Sequence, residues 1–187
     1  LVWDQAHQRT VYLARFLPEK DRAWVDLWHR VHHHPNLTWR DGLFTPVAPA
    51  VAHRIRYYGL QRLTRHDPQV LTERWHELKQ RFGLTAHEQG QLLRRLALRL
   101  AYRRAPEALA WLDRVPDEQA DATVRHWRVR AALRARDWQG ALEALAGLAP
   151  EQQQAPRWQY WRGRAWEALG NQDKADHFYR NAARSRS

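Results

Sequence analysis

Three adjacent imidazoles in VHHHP (31–35) come nearest to a metal-binding pattern in this chain. Ligands on one helix face need i, i+3 or i, i+4 spacing, and neither a carboxylate nor a cysteine stands by to complete the set. No metal site is expected. The sequence contains no Gly-rich phosphate loop, no Gly-x-Ser-x-Gly and no His-Glu-x-x-His. Its carboxylates fall at helix starts or beside arginines, where capping and ion pairing account for them. Neither a catalytic residue nor a cofactor site is expected. One stretch asks a different question. WQYWRGRAWEALGNQDKA (158–175) carries three tryptophans interleaved with arginines, as a sugar or nucleic-acid groove would. Packed helical repeats use the same residue types.

Helices must position whatever these residues do. Apolar residues recur at i, i+3, i+4, i+7 in four stripes: Trp24, Leu27, Trp28 and Val31; Leu71, Trp75, Leu78 and Phe82; Val124, Trp127, Ala131 and Trp138; Trp158, Trp161, Ala165 and Leu169. No stretch alternates with period two. Asp67-Pro68 reads as an N-cap followed by proline in the first turn, and Thr85-x-x-Glu88 as a capping box. Pro106, Pro116 and Pro156 mark further starts. The spacing predicts about ten helices, near 2–17, 19–33, 46–65, 67–82, 85–104, 105–114, 116–135, 137–148, 156–169 and 171–184. Residues 34–45 are expected to be irregular.

Internal repetition narrows the architecture. HWRVRAALRARDWQGALEAL (126–145) lies over YWRGRAWEALGNQDKADHFY (160–179) without a gap. Trp127 matches Trp161, Arg128 matches Arg162, Arg130 matches Arg164, and Ala141 matches Ala175. The offset is the period of a tetratricopeptide helix pair. A fainter copy precedes them, carried by Ala97 and Ala108. In the last repeat Gly163 and Ala175 are small, Trp166 and Tyr179 are bulky, Gly170 makes the turn, and Ala182 falls seven after Ala175. Each hairpin leaves an apolar face for its neighbour. The expected fold is all-α, an α/α superhelix of tetratricopeptide-like hairpins.

In that register Trp161 and Trp166 are expected to be buried between helices. His126, Arg130, Arg134, Arg157, Tyr160 and Arg164 fall on the face that lines the concave side of such stacks, and they are the candidate binding residues.

Composition supplies bounds. The 187 residues carry a formal net charge of +11, with 31 Lys+Arg against 20 Asp+Glu. Such a balance favours anionic partners: nucleic acid, anionic lipid or an acidic cell-wall polymer. The charge runs along the whole chain, and arginine-rich usage of this kind is also a solvated surface. The longest uncharged apolar run, LFTPVAPAVA (43–52), holds two prolines and is too short to span a bilayer. Cysteine is absent, so no disulfide or thiolate site exists. Methionine is absent too, and the chain reads as an excised piece of something longer.

Several stretches together resemble the superhelical (U-type) domain of bacterial soluble lytic murein transglycosylases. They are YLARFLPEKDRAWVDLWHRVHHHP (12–35), RIRYYGLQRLTRHDPQVLTERW (54–75), LLRRLALRLAYR (92–103), VPDEQADATVRHWRVRAALRARDWQGALEAL (115–145) and RWQYWRGRAWEALGNQDKADHFYRNAA (157–183). The resemblance implies a periplasmic protein whose helices build part of a ring. A separate C-terminal lysozyme-like domain in that family cleaves between N-acetylmuramic acid and N-acetylglucosamine, leaving 1,6-anhydromuramoyl products. The family's Glu-Ser, Gly-Leu-Met-Gln and Ala-Tyr-Asn motifs are missing here, and the one Ala-Tyr pair, Ala101-Tyr102, continues into Arg103. Its catalytic residues therefore carry over to no position.

The expectation is one superhelical domain over 1–187 that serves as scaffold, with peptidoglycan strands and the missing catalytic domain as partners. Two other classes stay open: a tetratricopeptide-type adaptor for a protein, and a basic helical repeat that binds RNA. RNA-reading repeats need equivalent base-reading side chains in successive hairpins. Only two hairpins correspond clearly, so nucleic acid is not the expected partner.

Overall fold

The computed structural model describes residue 9, residues 12–13 and residues 15–184, the side chains of 20 and 79 aside. The helix expected near 2–17 lies mostly outside the described residues. Among the described residues there are eleven α-helices, three 3-10 turns and no strand. The chain divides into two compact units, 1–92 and 93–187.

In the first unit, α1 spans Glu19–His33, α2 Pro49–His66, α3 Pro68–Glu73 and α4 Trp75–Arg81. Helix α5, Ala86–Tyr102, starts in this unit. The irregular stretch is ordered as two 3-10 turns, Pro35–Trp39 and Asp41–Leu43. Leu27 and Val31 of α1 pack with Phe44, Val47, Ala52 and Ile55. Both boundary motifs form as read. The Asp67 carboxylate accepts from the Val70 N–H at 3.4 Å. Thr85 Oγ1 accepts from the Glu88 N–H at 3.2 Å, and Glu88 Oε2 accepts from the Thr85 N–H at 2.9 Å.

The other Glu88 oxygen pairs with His53 Nε2 of α2 at 2.9 Å, tying α5 to α2. Partial burial pushes the Glu88 carboxyl up, but the His53 and Thr85 hydrogen bonds outweigh it and hold the group below its ordinary value. The helix expected over 67–82 is broken at Arg74, whose φ/ψ is −104/14. Its apolar stripe survives the break: Leu71, Trp75, Leu78 and Phe82 are all buried.

A charged cluster closes this unit. Asp41 accepts from Arg81 at 2.6 Å and from Arg56 at 2.9 Å. Arg81 also donates to the Trp39 carbonyl at 2.9 Å, while Arg74 lies 4.2 Å over the Trp39 ring. The Arg81 hydrogen bond, with the charges of both arginines, holds Asp41 below the usual carboxylate range. The sequence showed these groups only as scattered charges.

In the second unit, α6 spans Ala108–Asp113, α7 Ala122–Ala135, α8 Trp138–Ala146, α9 Pro150–Gln153, α10 Pro156–Ala168 and α11 Gln172–Arg184. The start of α10 follows that of α7 by the repeat period, and α11 follows α8 likewise. Two expected starts move. Pro116 opens a 3-10 turn rather than α7, because Asp121 takes the cap by accepting from the Val124 N–H at 3.0 Å. Pro106 lies in a turn before α6.

The repeat extends to details of backbone chemistry. Asp137 caps α8 through the Gly140 N–H at 2.9 Å, and Asn171, its equivalent, caps α11 through the Lys174 N–H at 3.1 Å. The preceding residues, Arg136 and Gly170, are both left-handed, with φ of 56° and 78°. Each ends its helix with a reverse bond, Asp137 N–H to the Ala132 carbonyl at 3.0 Å and Asn171 N–H to the Trp166 carbonyl at 2.9 Å. Arg104, with φ 58°, and the Ala105 N–H to the Leu100 carbonyl repeat the motif a third time. A side chain in this region costs about 1–2 kcal/mol relative to glycine, so Arg104 and Arg136 carry a strain that Gly170 avoids.

Arg128 and Arg162 show why the repeat keeps an arginine there. Arg128 donates to the carbonyls of Leu112 at 3.1 Å and Val115 at 2.8 Å. Arg162 donates to the Leu145 carbonyl at 3.1 Å and to Gln153 Oε1 at 2.7 Å. Each reaches a carbonyl at the C-terminal end of an earlier helix, Leu112 for Arg128 and Leu145 for Arg162, where the i+4 donors of the helix interior run out. Burial pulls the Arg162 guanidinium below its ordinary value. Trp158, at 3% exposed, packs with Val129, Leu145 and Leu148 to join the two hairpins.

Candidate functional site

The six candidate binding residues all lie in the second unit, on α7 and α10, and they fall into three groups. His126 is half-buried, its ring 5.6 Å from that of Trp158, and Arg157 lies 4.7 Å over the same indole. These two are joined through a core tryptophan. Tyr160 and Arg164 meet at α11. The Tyr160 ring is 5.8 Å from that of Tyr179, whose hydroxyl donates to Glu167 Oε2 at 2.8 Å. Arg164 pairs with the same carboxylate oxygen of Glu167. Its bonding to Tyr179, with the Glu167 charge, raises the guanidinium above its ordinary value. Arg164 therefore keeps its charge but is already paired with a carboxylate of its own helix.

Arg130 and Arg134 form the third group. Both are exposed on α7. Arg130 lies 5.0 Å over the Trp127 ring, and no carboxylate pairs with either among the described residues. They are the candidate cations best placed to attract an outside anion.

Trp161 departs from expectation. It is 37% exposed rather than buried. At about 100° per residue, α10 turns an arc of Trp158, Gln159, Gly163 and Ala165 inward, and all four are buried. Trp161 sits at the edge of that arc, beside Arg157 and Arg164 on the outer face. Gln159, a polar residue outside the expected stripe, takes an inward place with its amide donating to the Gln153 carbonyl at 2.7 Å. Trp166 is half-buried, with the Lys174 ammonium 3.9 Å over its ring. Leu169, at 44% exposed, also lies outside the core.

Trp161 thus shares a face with Arg157 and Tyr160, and the three border an open recess of about 900 Å³ completed by Tyr179 and Ala182. Aromatic faces with a basic rim can stack on flat, partly apolar groups and hold anions. They supply no general acid in a cleft. Among the described residues no three histidines or carboxylates come together to hold a metal ion, and no helix is long and apolar enough to cross a membrane. The sequence had assigned Trp161 to the core.

No family model and no curated protein matches the chain. A solved structure does: the lytic transglycosylase Slt of Pseudomonas aeruginosa, in an inactive mutant form, superimposes on 95% of this chain with a TM-score of 0.77 and 24% identity. The resemblance read from the sequence holds at the level of fold. The chain spans 29% of the length of that protein. Agreement at this TM-score over nearly the whole chain establishes the all-α hairpin class and its likeness to the helical part of Slt.

Proposed function

We propose that this chain is a helical scaffold domain of a periplasmic peptidoglycan lytic transglycosylase, with exposed arginines of its second unit contacting the wall polymer. In this reading the whole protein cleaves the bond between N-acetylmuramic acid and N-acetylglucosamine and leaves 1,6-anhydromuramoyl ends, through a catalytic domain outside 1–187. The single observation that carries it is the fold likeness to Slt over 95% of the chain. The charge of +11 supports it, since peptidoglycan stems bear carboxylates that a basic surface attracts. Fold alone does not dictate function, so the surface must be tested by itself.

Among the described residues no carboxylate pairs with Arg130 or Arg134, whereas Arg164 is tied to Glu167, so the attraction should rest on the first two. Arg130→Gln with Arg134→Gln should lower cosedimentation with purified sacculi more than Arg114→Gln with Arg125→Gln. The difference should shrink as salt rises, because charges are screened beyond ~8 Å at physiological ionic strength. Both pairs are exposed, and exposed substitutions usually stay within ~0.5 kcal/mol, so melting temperatures should barely move. Equal losses from the two pairs would reduce the attraction to net charge and remove the arginine face from the account.

A further inference from the structure

We propose that the recess beside Tyr179 is a docking socket for an amphipathic helix that carries an aromatic side chain in its first turn. A socket of the same kind is already filled within this unit. Trp158, the third residue of α10, sits among Val129, Leu145 and Leu148 at 3% exposed, with the His126 ring 5.6 Å away. One repeat later these four positions are Gly163, Tyr179, Ala182 and Tyr160. Tyr160, Tyr179 and Ala182 line the open recess. The recess is therefore the next step of an interface that the fold already uses between α7–α8 and α10.

The substitutions between the two copies shape its occupant. Alanine for leucine at 182 opens the socket on one side. The Tyr179 ring covers Gly163, where a Cβ would lie 2.6 Å from it, and forms the floor. The recess of about 900 Å³ that is left admits an indole. Tyrosine for leucine adds a hydroxyl, but Glu167 takes that hydrogen bond, leaving the ring face for packing. Tyr160 at 46% and Trp161 at 37% exposed leave aromatic surface at the mouth, as contiguous apolar patches on interaction surfaces do. The partner is thus a protein helix that packs as α10 packs on its own neighbours. This inference goes beyond the peptidoglycan reading and assigns Arg157 and Tyr160 to a helix interface, leaving Arg130 and Arg134 for the wall polymer.

A fluorescein-labelled peptide of residues 155–184 offers Trp158 without α7 and α8 to cover it. Titrated with the full chain, its anisotropy should rise to saturation. Trp158→Ala in the peptide should weaken binding at least about tenfold, a loss of about 1.4 kcal/mol. Ala182→Trp in the full chain should do the same by filling the recess, with its circular dichroism and melting temperature checked for an intact fold. Arg130→Gln with Arg134→Gln should leave peptide binding unchanged. No saturation up to ~1 mM chain, the scale of about −4 kcal/mol, would overturn the socket. So would equal binding by the Trp158→Ala peptide, or displacement of the peptide by soluble glycan strands, which would make the recess a sugar site.

Discussion

Gly59→Ala should lower the unfolding free energy by about 3 kcal/mol, the upper part of the range for overpacking a filled core. Gly59 is buried in α2, inside the RIRYYGLQRLTRHDP stretch. A Cβ there would meet Thr38 Oγ1 at 2.0 Å and Val31 Cγ1 at 2.7 Å. Neither neighbour moves easily. Val31 is fully buried in the packing of α1, and Thr38 is fully buried in the 3-10 turn. The glycine is what lets α1, α2 and that turn meet at one point.

Thr38 Oγ1 is buried without a hydrogen-bond partner, so Thr38→Ala alone should cost little. In the double variant Gly59→Ala/Thr38→Ala the closest clash is gone, and the loss should fall well short of the single Gly59→Ala. Contacting residues show such non-additivity, distant ones do not. Urea unfolding of the four proteins reads the cycle. A Gly59→Ala cost below ~0.5 kcal/mol, or strict additivity, would mean the three elements have room that the structure denies.

The second large effect separates two tryptophans three residues apart. Trp158→Ala should cost about 3–5 kcal/mol, as truncation of a buried aromatic does. It removes the side chain that joins Val129, Leu145 and Leu148 across two hairpins. Trp161→Ala should cost under ~1 kcal/mol, in keeping with its exposed place at the recess. Equal costs would put Trp161 back in the core and close the recess. A small cost at Trp158 would break the link between the hairpins and with it the argument for the socket.

These residues also show where sequence reasoning reached and where it stopped. Helical periodicity found the hairpins, and the repeat offset fixed how α7–α8 and α10–α11 correspond, because cap, turn and small-residue positions all recur with it. The tight pairing expected of Gly163 and Ala175 is present. A Cβ on Gly163 would lie 2.6 Å from the Tyr179 ring and 3.2 Å from the Ala175 carbonyl. Trp161 was misread because the stripe Trp158, Trp161, Ala165, Leu169 is apolar throughout, whereas the buried arc turns the other way, toward Gln159 and Gly163. A glutamine satisfied by the Gln153 carbonyl is acceptable in a core, and no sequence pattern announces such a bond.

Helix starts failed for a related reason. Pro116, Asp117, Glu118 and Asp121 all favour a first turn, and only tertiary packing selects Asp121. The roles of Arg128 and Arg162 were visible as a match between repeats but not as chemistry, since reaching a neighbour's carbonyls depends on how helices cross. The candidate wall was half legible. Its arginines lie on α7 and α10 as expected, but the Glu167 carboxylate that occupies Arg164 could have been expected from i, i+3 spacing on the same helix.

The proposed role, in which this chain holds to the wall polymer and does no chemistry on it, has two halves. Incubation with purified sacculi, followed by pelleting and chromatography of the released material, tests both halves at once. The chain should pellet with sacculi at low salt, be released as salt rises, and yield no anhydromuropeptides above a buffer control. Failure to pellet at any salt would contradict the wall contact, and anhydromuropeptides from a preparation free of other hydrolases would contradict the scaffold.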